Sequence, residues 1–240
     1  MPLSSYIMSS HMIGQRHRLD TVADNVANVN TVGYKRQTLD FQELVSRQQG
    51  QEVGSFANHN GTRLEFVQGG LSPTGNPLDV AIMGEGFLAV QVGNNVHYTR
   101  NGHMNIDAEG QLVNDLGEPV LDANNAPINI PQDSTELTIT SDGTVNNQNG
   151  AIAALGVYSF DNPKMMQRTG NNGYIPINQP AIPVETPRVS QGFLENSNVN
   201  AVQETVKMTD LARKYESAAQ LINSMDELEQ RAIRTLPTLQ

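Results

Sequence analysis

The apolar positions at the two ends of the chain follow the spacing of α-helices, whereas those in the middle follow the spacing of short strands. Over residues 8–29 and again over 208–225, apolar residues recur at steps of three and four, with Gln15 as a polar break. These positions are Met8, Met12, Leu19, Val22, Val26, Val29, Met208, Leu211, Tyr215, Ala218, Ile222 and Met225. The spacing predicts a helix over residues 4–31 and another over 198–235, packed as a coiled-coil-like pair.

The middle of the chain has the pattern of short strands joined by turns. Apolar runs at 78–83 and 87–92 flank the turn Gly84-Glu85-Gly86. Further short runs are separated by turn sequences such as Asn101-Gly102 and Glu109-Gly110. Frequent turns between short apolar runs predict a central all-β domain.

Together these patterns predict an α+β fold in which extended segments join paired N- and C-terminal helices to the β-domain. The predicted parts are a terminal helical domain (1–33 and 198–240), an extended connecting region (34–65 and 174–197) and a central β-domain (66–173). Within the connecting region, residues 40–47 fit a short helix with an apolar face. The polar stretch 48–62 predicts a flexible loop.

The formal net charge is −10, and the acidity belongs to the middle of the chain. Residues 37–198 hold 17 acidic and 6 basic side chains, whereas 1–36 and 199–240 are close to neutral. Because phosphate contacts need a basic face, we expect no nucleic-acid partner. No apolar run reaches the roughly 18 residues that span a bilayer, so we expect no membrane insertion. The first residues also lack the pattern of a Sec signal peptide.

Candidate chemistry is sparse, and the sequence predicts no catalytic, cofactor-binding or metal-binding residues. The chain has no cysteine, which excludes disulfides and thiolate catalysis. Residues 105–110 imitate half of a calcium loop, but its twelfth position is Leu116, which cannot bind a metal, so a hairpin turn is the better interpretation. The histidines lack zinc-site spacing, and no phosphate-binding or nucleophile motif occurs. We therefore expect no cofactor and a protein that is not an enzyme.

Residues 23–36 carry the most specific motif of the chain. Their sequence, ADNVANVNTVGYKR, resembles the signature A-N-N-L-A-N-x-x-T-x-G-[FY]-K-R of bacterial flagellar axial proteins, the rod and hook family. It departs from that signature at Asp24 and Val26, where the family usually has Asn and Leu. The matching residues include Asn25, Ala27, Asn28, Thr31, Gly33, Tyr34 and Lys35. Further blocks resemble the family in the same order, at residues 77–87, 98–113 and 191–200.

The resemblance implies a structural axial subunit of the flagellar basal-body rod, located in the periplasm. It implies partners among copies of this chain, other rod proteins and the flagellar export apparatus, and export without a Sec signal peptide. It also implies that the terminal helices line the export channel and transmit torque. On this interpretation the apolar positions named above are subunit-packing residues. The chain is short for a hook protein, and residues 14–20 resemble a proximal-rod member more than a distal-rod member.

Two alternatives stay open, one within the family that the chain resembles and one outside it. One is a distal-rod subunit of the same family, which differs in its position along the rod. The other is a secreted β-domain adhesin or enzyme with accessory helices. An enzyme needs a carboxylate pair or a set of metal ligands in the β-domain, and the sequence offers neither.

Overall fold

The computed structural model describes residues 3–48, 51–170 and 172–235. In this part of the chain a helix lies at each end and strands fill the middle, which confirms the predicted α+β class. The chain divides into a helical unit (Met1–Ala27, Gln37–Arg63 and Asn200–Gln240) and a β-unit (Asn28–Arg36 and Leu64–Val199). The coiled-coil-like geometry of the helix pair stays a prediction.

The helical unit contains α1 (Leu3–Ala27) and α2 (Ala201–Thr235), and the two helices contact each other. α2 begins within three residues of its predicted start. The Asn200 side chain accepts a hydrogen bond from the N–H of Gln203 at 3.1 Å, which caps the first turn. An asparagine in this position satisfies one of the N–H groups that a helix start leaves without a partner.

α1 ends at Ala27, four residues before the predicted end, so that boundary was wrong. The side chains that follow explain the difference. The hydroxyl of Thr31 donates to Asn28 Oδ1 at 3.2 Å, and the N–H of Thr31 donates to Asn28 O at 3.2 Å. Asparagine and threonine that bond locally compete with the helix for backbone groups. The apolar periodicity therefore runs past the end of the helix itself.

The first two strands, β1 (Gln37–Gln48) and β2 (Gln51–Leu64), form a two-stranded sheet. The predicted short helix over 40–47 is therefore wrong, and so is the flexible loop over 48–62, of which residues 49–50 lie outside the described chain. A short apolar run fits helical and strand spacing equally well. A polar stretch also forms a strand readily, because pairing uses backbone N–H and C=O groups rather than side chains.

The β-unit holds short strands that pair in an antiparallel manner. They are β3 (Leu71–Pro73), β4 (Val80–Ile82), β5 (Phe87–Val92), β6 (Asn95–Thr99), β7 (Met104–Ile106), β8 (Leu112–Asn114), β9 (Thr138–Ile139), β10 (Thr144–Asn147), β11 (Gly150–Ala154), β12 (Val157–Ser159), β13 (Met166–Arg168), β14 (Gly173–Pro176), β15 (Ile182–Pro183), β16 (Val189–Gln191) and β17 (Phe193–Glu195). The largest sheet of the described chain has the order β13-β14-β6-β5-β12-β15. Smaller sheets pair β3 with β17, β4 with β16, β7 with β8, and β10 with β9 and β11.

The burial of β5 on both faces shows why core strands of the β-unit appear in the sequence as continuous apolar runs. Leu88 and Val90 pack into an aliphatic cluster, whereas Phe87 and Ala89 pack into an aromatic cluster. Successive side chains of a strand point to opposite faces, so a strand buried on both faces needs apolar residues at every position. In the aromatic cluster the ring of Phe87 meets that of Phe160 edge to face, with centroids 5.6 Å apart.

Hairpin turns of the β-unit share a device in which an Asp or Asn side chain accepts hydrogen bonds from its own turn. Asp107 Oδ1 accepts from the N–H groups of Glu109 and Gln111, at 3.1 and 2.7 Å. The side chains of Asn114 and Asp122 bond in the same way to the second and fourth residues after them. The interpretation of the calcium-like sequence as a hairpin turn is thus confirmed. Its Asp107 side chain accepts hydrogen bonds from backbone N–H groups of the turn.

Replacing Asp107 with alanine removes the acceptor of two backbone N–H groups in the turn between β7 and β8. Each such bond contributes about 1 kcal/mol, so D107A should lower the free energy of unfolding by about 1–2 kcal/mol. Urea denaturation followed by circular dichroism measures the change. Asn105→Ala, an exposed substitution in β7, is the control. Equal midpoints for the two variants would contradict this role for Asp107.

Candidate functional site

A buried carboxylate lies at the centre of a polar cluster in the β-unit. The side chain of Glu195 is 1% exposed, and its Oε1 accepts from Lys35 Nζ at 2.5 Å and from the N–H of Gly69 at 2.9 Å. Its Oε2 accepts from Arg100 Nη1 at 3.3 Å. Lys35 and Arg100 are themselves buried. Charges removed from water in this way need both opposite charges and hydrogen bonds.

The two cations in this cluster also bond to backbone carbonyls. Lys35 Nζ donates to Val67 O at 2.9 Å, and Arg100 Nη2 donates to Gly84 O at 2.6 Å. The Arg100 guanidinium also lies over the ring of Phe87, 5.1 Å from its centroid. These carbonyl dipoles and the ring face offset the second positive charge, which one carboxylate leaves uncompensated.

The pKa values of the two cations report the same balance. Burial lowers the pKa of Lys35 below its ordinary value, and the Glu195 carboxylate beside it opposes the shift. Burial also lowers the pKa of Arg100, and Glu195 opposes that shift too. The carboxylate therefore stabilises the charged forms of both groups against the penalty of desolvation.

Gly33 brings Lys35 to the carboxylate. Its N–H donates to the backbone oxygen of Glu195 at 2.7 Å, and its φ of +69° lies in the left-handed region. A Cβ at this position would overlap Asn101 N and lie 2.5 Å from Arg100 C, so the chain passes too close for any side chain. Both the conformation and the close approach explain glycine in this position of the signature.

The residues on either side of Lys35 are fixed as well. Tyr34 is fully buried, and the Arg168 guanidinium lies 4.6 Å from its ring centroid. Asn198 accepts from the N–H of Arg36 at 2.7 Å and donates from its amide to Glu65 O at 2.7 Å. One asparagine side chain thus ties the segment before β1 to the segment after β2.

The helical unit has a polar cluster of its own around Asn25. The side chain of Asn25 is fully buried, donates to Gln37 O at 2.9 Å and accepts from Gln37 N at 2.9 Å. Its amide also lies 3.4 Å from Glu204 Oε2, and Glu204 Oε1 accepts from Lys207 Nζ at 2.8 Å. Asn25 therefore pairs with the first residue of β1 much as a neighbouring strand would, and it connects α1, β1 and α2.

The predicted subunit-packing residues with described side chains are all half-buried. These are Met12, Leu19, Val22, Val26, Val29, Met208, Leu211, Tyr215, Ala218, Ile222 and Met225. The side chain of Met8 lies outside the described part of the structure. Val29 follows the end of α1 and belongs to the β-unit. Their role in subunit packing stays a prediction.

The structure separates the predicted signature residues into different environments. Asn25 contributes to the polar cluster of the helical unit, whereas Gly33, Tyr34 and Lys35 belong to the buried cluster of the β-unit. Asn28 and Thr31 are half-buried and bond to each other in the turn after α1. The side chain of Ala27 is exposed.

Sequence reasoning missed the partners of these residues. Arg100, Glu195 and Asn198 lie in blocks that resemble the family, but nothing in the sequence pattern marks them as site residues. Lys35 and Glu195 are 160 positions apart, and Arg100 and Glu195 are 95 apart. A single sequence carries no sign of which side chains meet over such separations.

The site offers no metal chemistry among the residues that the structure describes. Over residues 3–48, 51–170 and 172–235, no three His, Asp or Glu side chains are grouped to hold a metal ion. Neither helix, in its described extent, combines the length and the apolar content of a membrane span.

Three family models match parts of the chain. They are described as Flagella basal body rod protein (residues 6–35), Flagellar hook protein FlgE/F/G D1 domain (81–147) and Flagellar basal body rod FlgEFG protein C-terminal (190–235). Each matched region contains one residue of the buried cluster. The first contains Lys35, the second Arg100 and the third Glu195. The cluster therefore contains one residue from each of the three regions on which the similarity rests.

Known proteins resemble the chain over nearly its whole length. The flagellar basal-body rod protein FlgF of Mesorhizobium japonicum is 36% identical over 97% of this chain and 97% of its own length. FlgF of Rhizobium meliloti is 33% identical over 98% of each chain. The flagellar basal-body rod protein FlgG of Bacillus subtilis is 31% identical over 96% of this chain and 97% of its own.

Replacing Glu195 with glutamine leaves Lys35 and Arg100 buried without their counter-charge. Breaking a buried ion pair in this way costs about 3–5 kcal/mol, so E195Q should lower the free energy of unfolding by that amount. Chemical denaturation measures the loss. Glu185→Gln makes the same chemical change at an exposed position and should be nearly neutral. If E195Q lowers the free energy of unfolding no more than the control does, the cluster does not stabilise the fold.

Replacing Gly33 with alanine tests the close approach of the chain to Arg100. Gly93 is the matched control because its φ of +60° is similar to that of Gly33, while no atom lies within 4 Å of the position that its Cβ would take. Both alanines must adopt the left-handed backbone, but only G33A must also displace backbone atoms. G33A should therefore be less stable than G93A by about 1–3 kcal/mol in thermal or chemical unfolding. Equal losses would show that crowding at Gly33 has no effect.

Proposed function

This chain belongs to the flagellar basal-body rod protein family, and from that premise we propose that its terminal helices pack against those of neighbouring subunits in the wall of the rod. The chain is a structural subunit of the flagellar rod, and the family implies assembly with other rod proteins. Lining of the export channel, transmission of torque and contacts with copies of the same chain are parts of the proposal.

The burial pattern of the helices is the observation that carries this proposal. Among the described side chains of α1 and α2, every apolar residue keeps some exposure. The fully buried positions in the described parts of these helices are a glycine and two polar residues, Gly14, Asn25 and Glu204. A helix pair without a fully buried apolar residue gains little stability from its own packing. Contacts with neighbouring subunits would supply the missing burial.

Apolar residues on the outward positions of the helices support the same proposal. Ile13 on α1 and Val202, Val206, Leu221 and Leu228 on α2 are more than half exposed. These residues are additional to the predicted subunit-packing positions, so α2 carries apolar side chains on more than one face. Head-to-tail contacts that do not close into a ring generate a helical filament, and such contacts need apolar surface on different sides of the subunit.

The buried cluster of the β-unit suits torque transmission. A shaft subunit must hold its shape under load, and ionic groups buried with several partners are costly to separate. We place the subunit in the rod of the basal body within the periplasm, exported by the flagellar export apparatus without a Sec signal. The sequence of residues 14–20 and the identity to relatives named FlgF favour a proximal-rod subunit over a distal-rod one.

A charge placed at a predicted subunit-packing position should block assembly of the rod. Val22→Asp and Ile222→Asp each put a carboxylate at a half-buried position, where a neighbouring helix would have to bury it. Each variant should abolish swimming in motility agar, while circular dichroism of the purified protein should keep the β-unit signal. Loss of that signal would point to misfolding in place of failed assembly.

The control for these variants adds the same charge elsewhere. Gln132→Asp lies at an exposed position of the β-unit and should swim like the parent. Normal swimming by both subunit-packing variants would rule out packing of these helices in the rod wall. Basal bodies isolated from each strain, probed for the subunit, separate failed incorporation from failed rotation.

A further inference from the structure

Asparagine followed by glycine occurs at residues 60–61, 101–102, 149–150 and 172–173. In such a pair the glycine N can attack Cγ of the asparagine. A C–N bond forms, the Cγ–Nδ2 bond breaks, and Nδ2 leaves as ammonia with the proton of the attacking N–H. Water then opens the cyclic imide at either carbonyl, which leaves aspartate or isoaspartate. The net change exchanges water for ammonia and needs no oxidant or reductant.

Among the three Asn-Gly pairs whose side chains the structure describes, Asn149-Gly150 is the most open to this reaction. It lies in the turn between β10 and β11, and both Asn149 and Gly150 are exposed. Gly150 pairs with Asn147 at the end of the β10–β11 hairpin, but nothing lies within 4 Å of the position that its Cβ would take, so water reaches this glycine. The hydrogen bond from the Asn149 amide to Asp133 Oδ2 is long, at 3.4 Å, and joins two exposed groups.

Asn101 is held away from the reaction. Its amide donates to Asp115 at 3.0 Å, and its Oδ1 accepts from the N–H of His103 at 3.0 Å. Gly102 is buried, and even a Cβ there would overlap Val80 O. Gly102 is therefore packed against the backbone of Val80, which restricts the backbone movement that attack on Asn101 requires.

Asn172 is held in a similar way. Its Oδ1 accepts from Arg168 Nη2 at 3.2 Å, whereas the Oδ1 of Asn149 accepts no hydrogen bond within the described part of the chain. The amide contacts of the two residues are equally long, at 3.4 Å, and that of Asn172 is to Val32 O. Gly173 is buried in β14, and a Cβ there would lie 2.8 Å from Thr169 Oγ1. The side chain of Asn60 is outside the described part of the structure.

We propose that Asn149 is a site of spontaneous deamidation in the folded protein. The hydrogen bonds that must break before attack raise the barrier at Asn101 and Asn172, so these residues should react at least about tenfold more slowly. The product places a second carboxylate beside Asp133, in a segment that is already acidic. Deamidation therefore replaces a weak attraction in this turn with repulsion between like charges.

The test is a time course on the purified full-length chain in mildly alkaline buffer. Peptide mass spectrometry after digestion measures the fraction of each asparagine converted to acid, and chromatography separates aspartate from isoaspartate peptides. The product should accumulate at Asn149 at least about tenfold faster than at Asn101 or Asn172. In denaturant the three sites should react at similar rates, because the fold no longer distinguishes them.

Two controls make the result decisive. Asn149→Gln should abolish the product at this position, because attack on the longer side chain requires a less favourable six-membered ring. Asn129 is exposed but is followed by Ile130, so it should stay unchanged in the same digest. Equal rates at Asn149 and Asn101 in the folded protein, or the absence of product at Asn149, would overturn the proposal.

Discussion

A carboxylate buried between two cations is the constraint on which the β-unit depends. Glu195 lies between Lys35 and Arg100, and these partners come from distant parts of the sequence. Removing one partner leaves a charge buried, which costs several times more than a lost surface ion pair. The cluster therefore holds together the segment after α1, the segment after β6 and the end of β17 within the β-unit.

Asparagine side chains supply hydrogen-bond partners to backbone groups that would otherwise be unpaired. The ion cluster does the corresponding task for buried charges, because it supplies them with counter-charges. Asn25 pairs with both backbone groups of Gln37, and Asn198 bonds to Arg36 and to Glu65. These bonds lie where the chain leaves a helix or enters a strand, which is where regular secondary structure cannot pair the backbone. Such positions give a structural reason for asparagine in the family signature, independent of any contact with another subunit.

The sequence predicts those parts of the fold that repeat. The terminal helices are visible because their apolar seams recur over many turns, and the β-rich middle is visible because turns recur between apolar runs. β1 and β2 are not visible, since a polar strand is specified by backbone pairing with a partner that the sequence does not identify. For the same reason Lys35 could be singled out from the signature, while Glu195 and Arg100 could not be identified as its partners.

The two units differ in how completely they bury their side chains, and this difference bears on function. In the β-unit, Tyr34, Leu88 and Tyr174 are fully buried in a single subunit. The described parts of α1 and α2 bury no apolar side chain to that degree. Because apolar burial supplies most of the stability of a helix pair, the helices have more apolar surface left to bury than the β-unit core has. This division fits the proposed role in a shaft assembled from separate subunits, in which the β-unit is packed beforehand and the helices are completed on assembly.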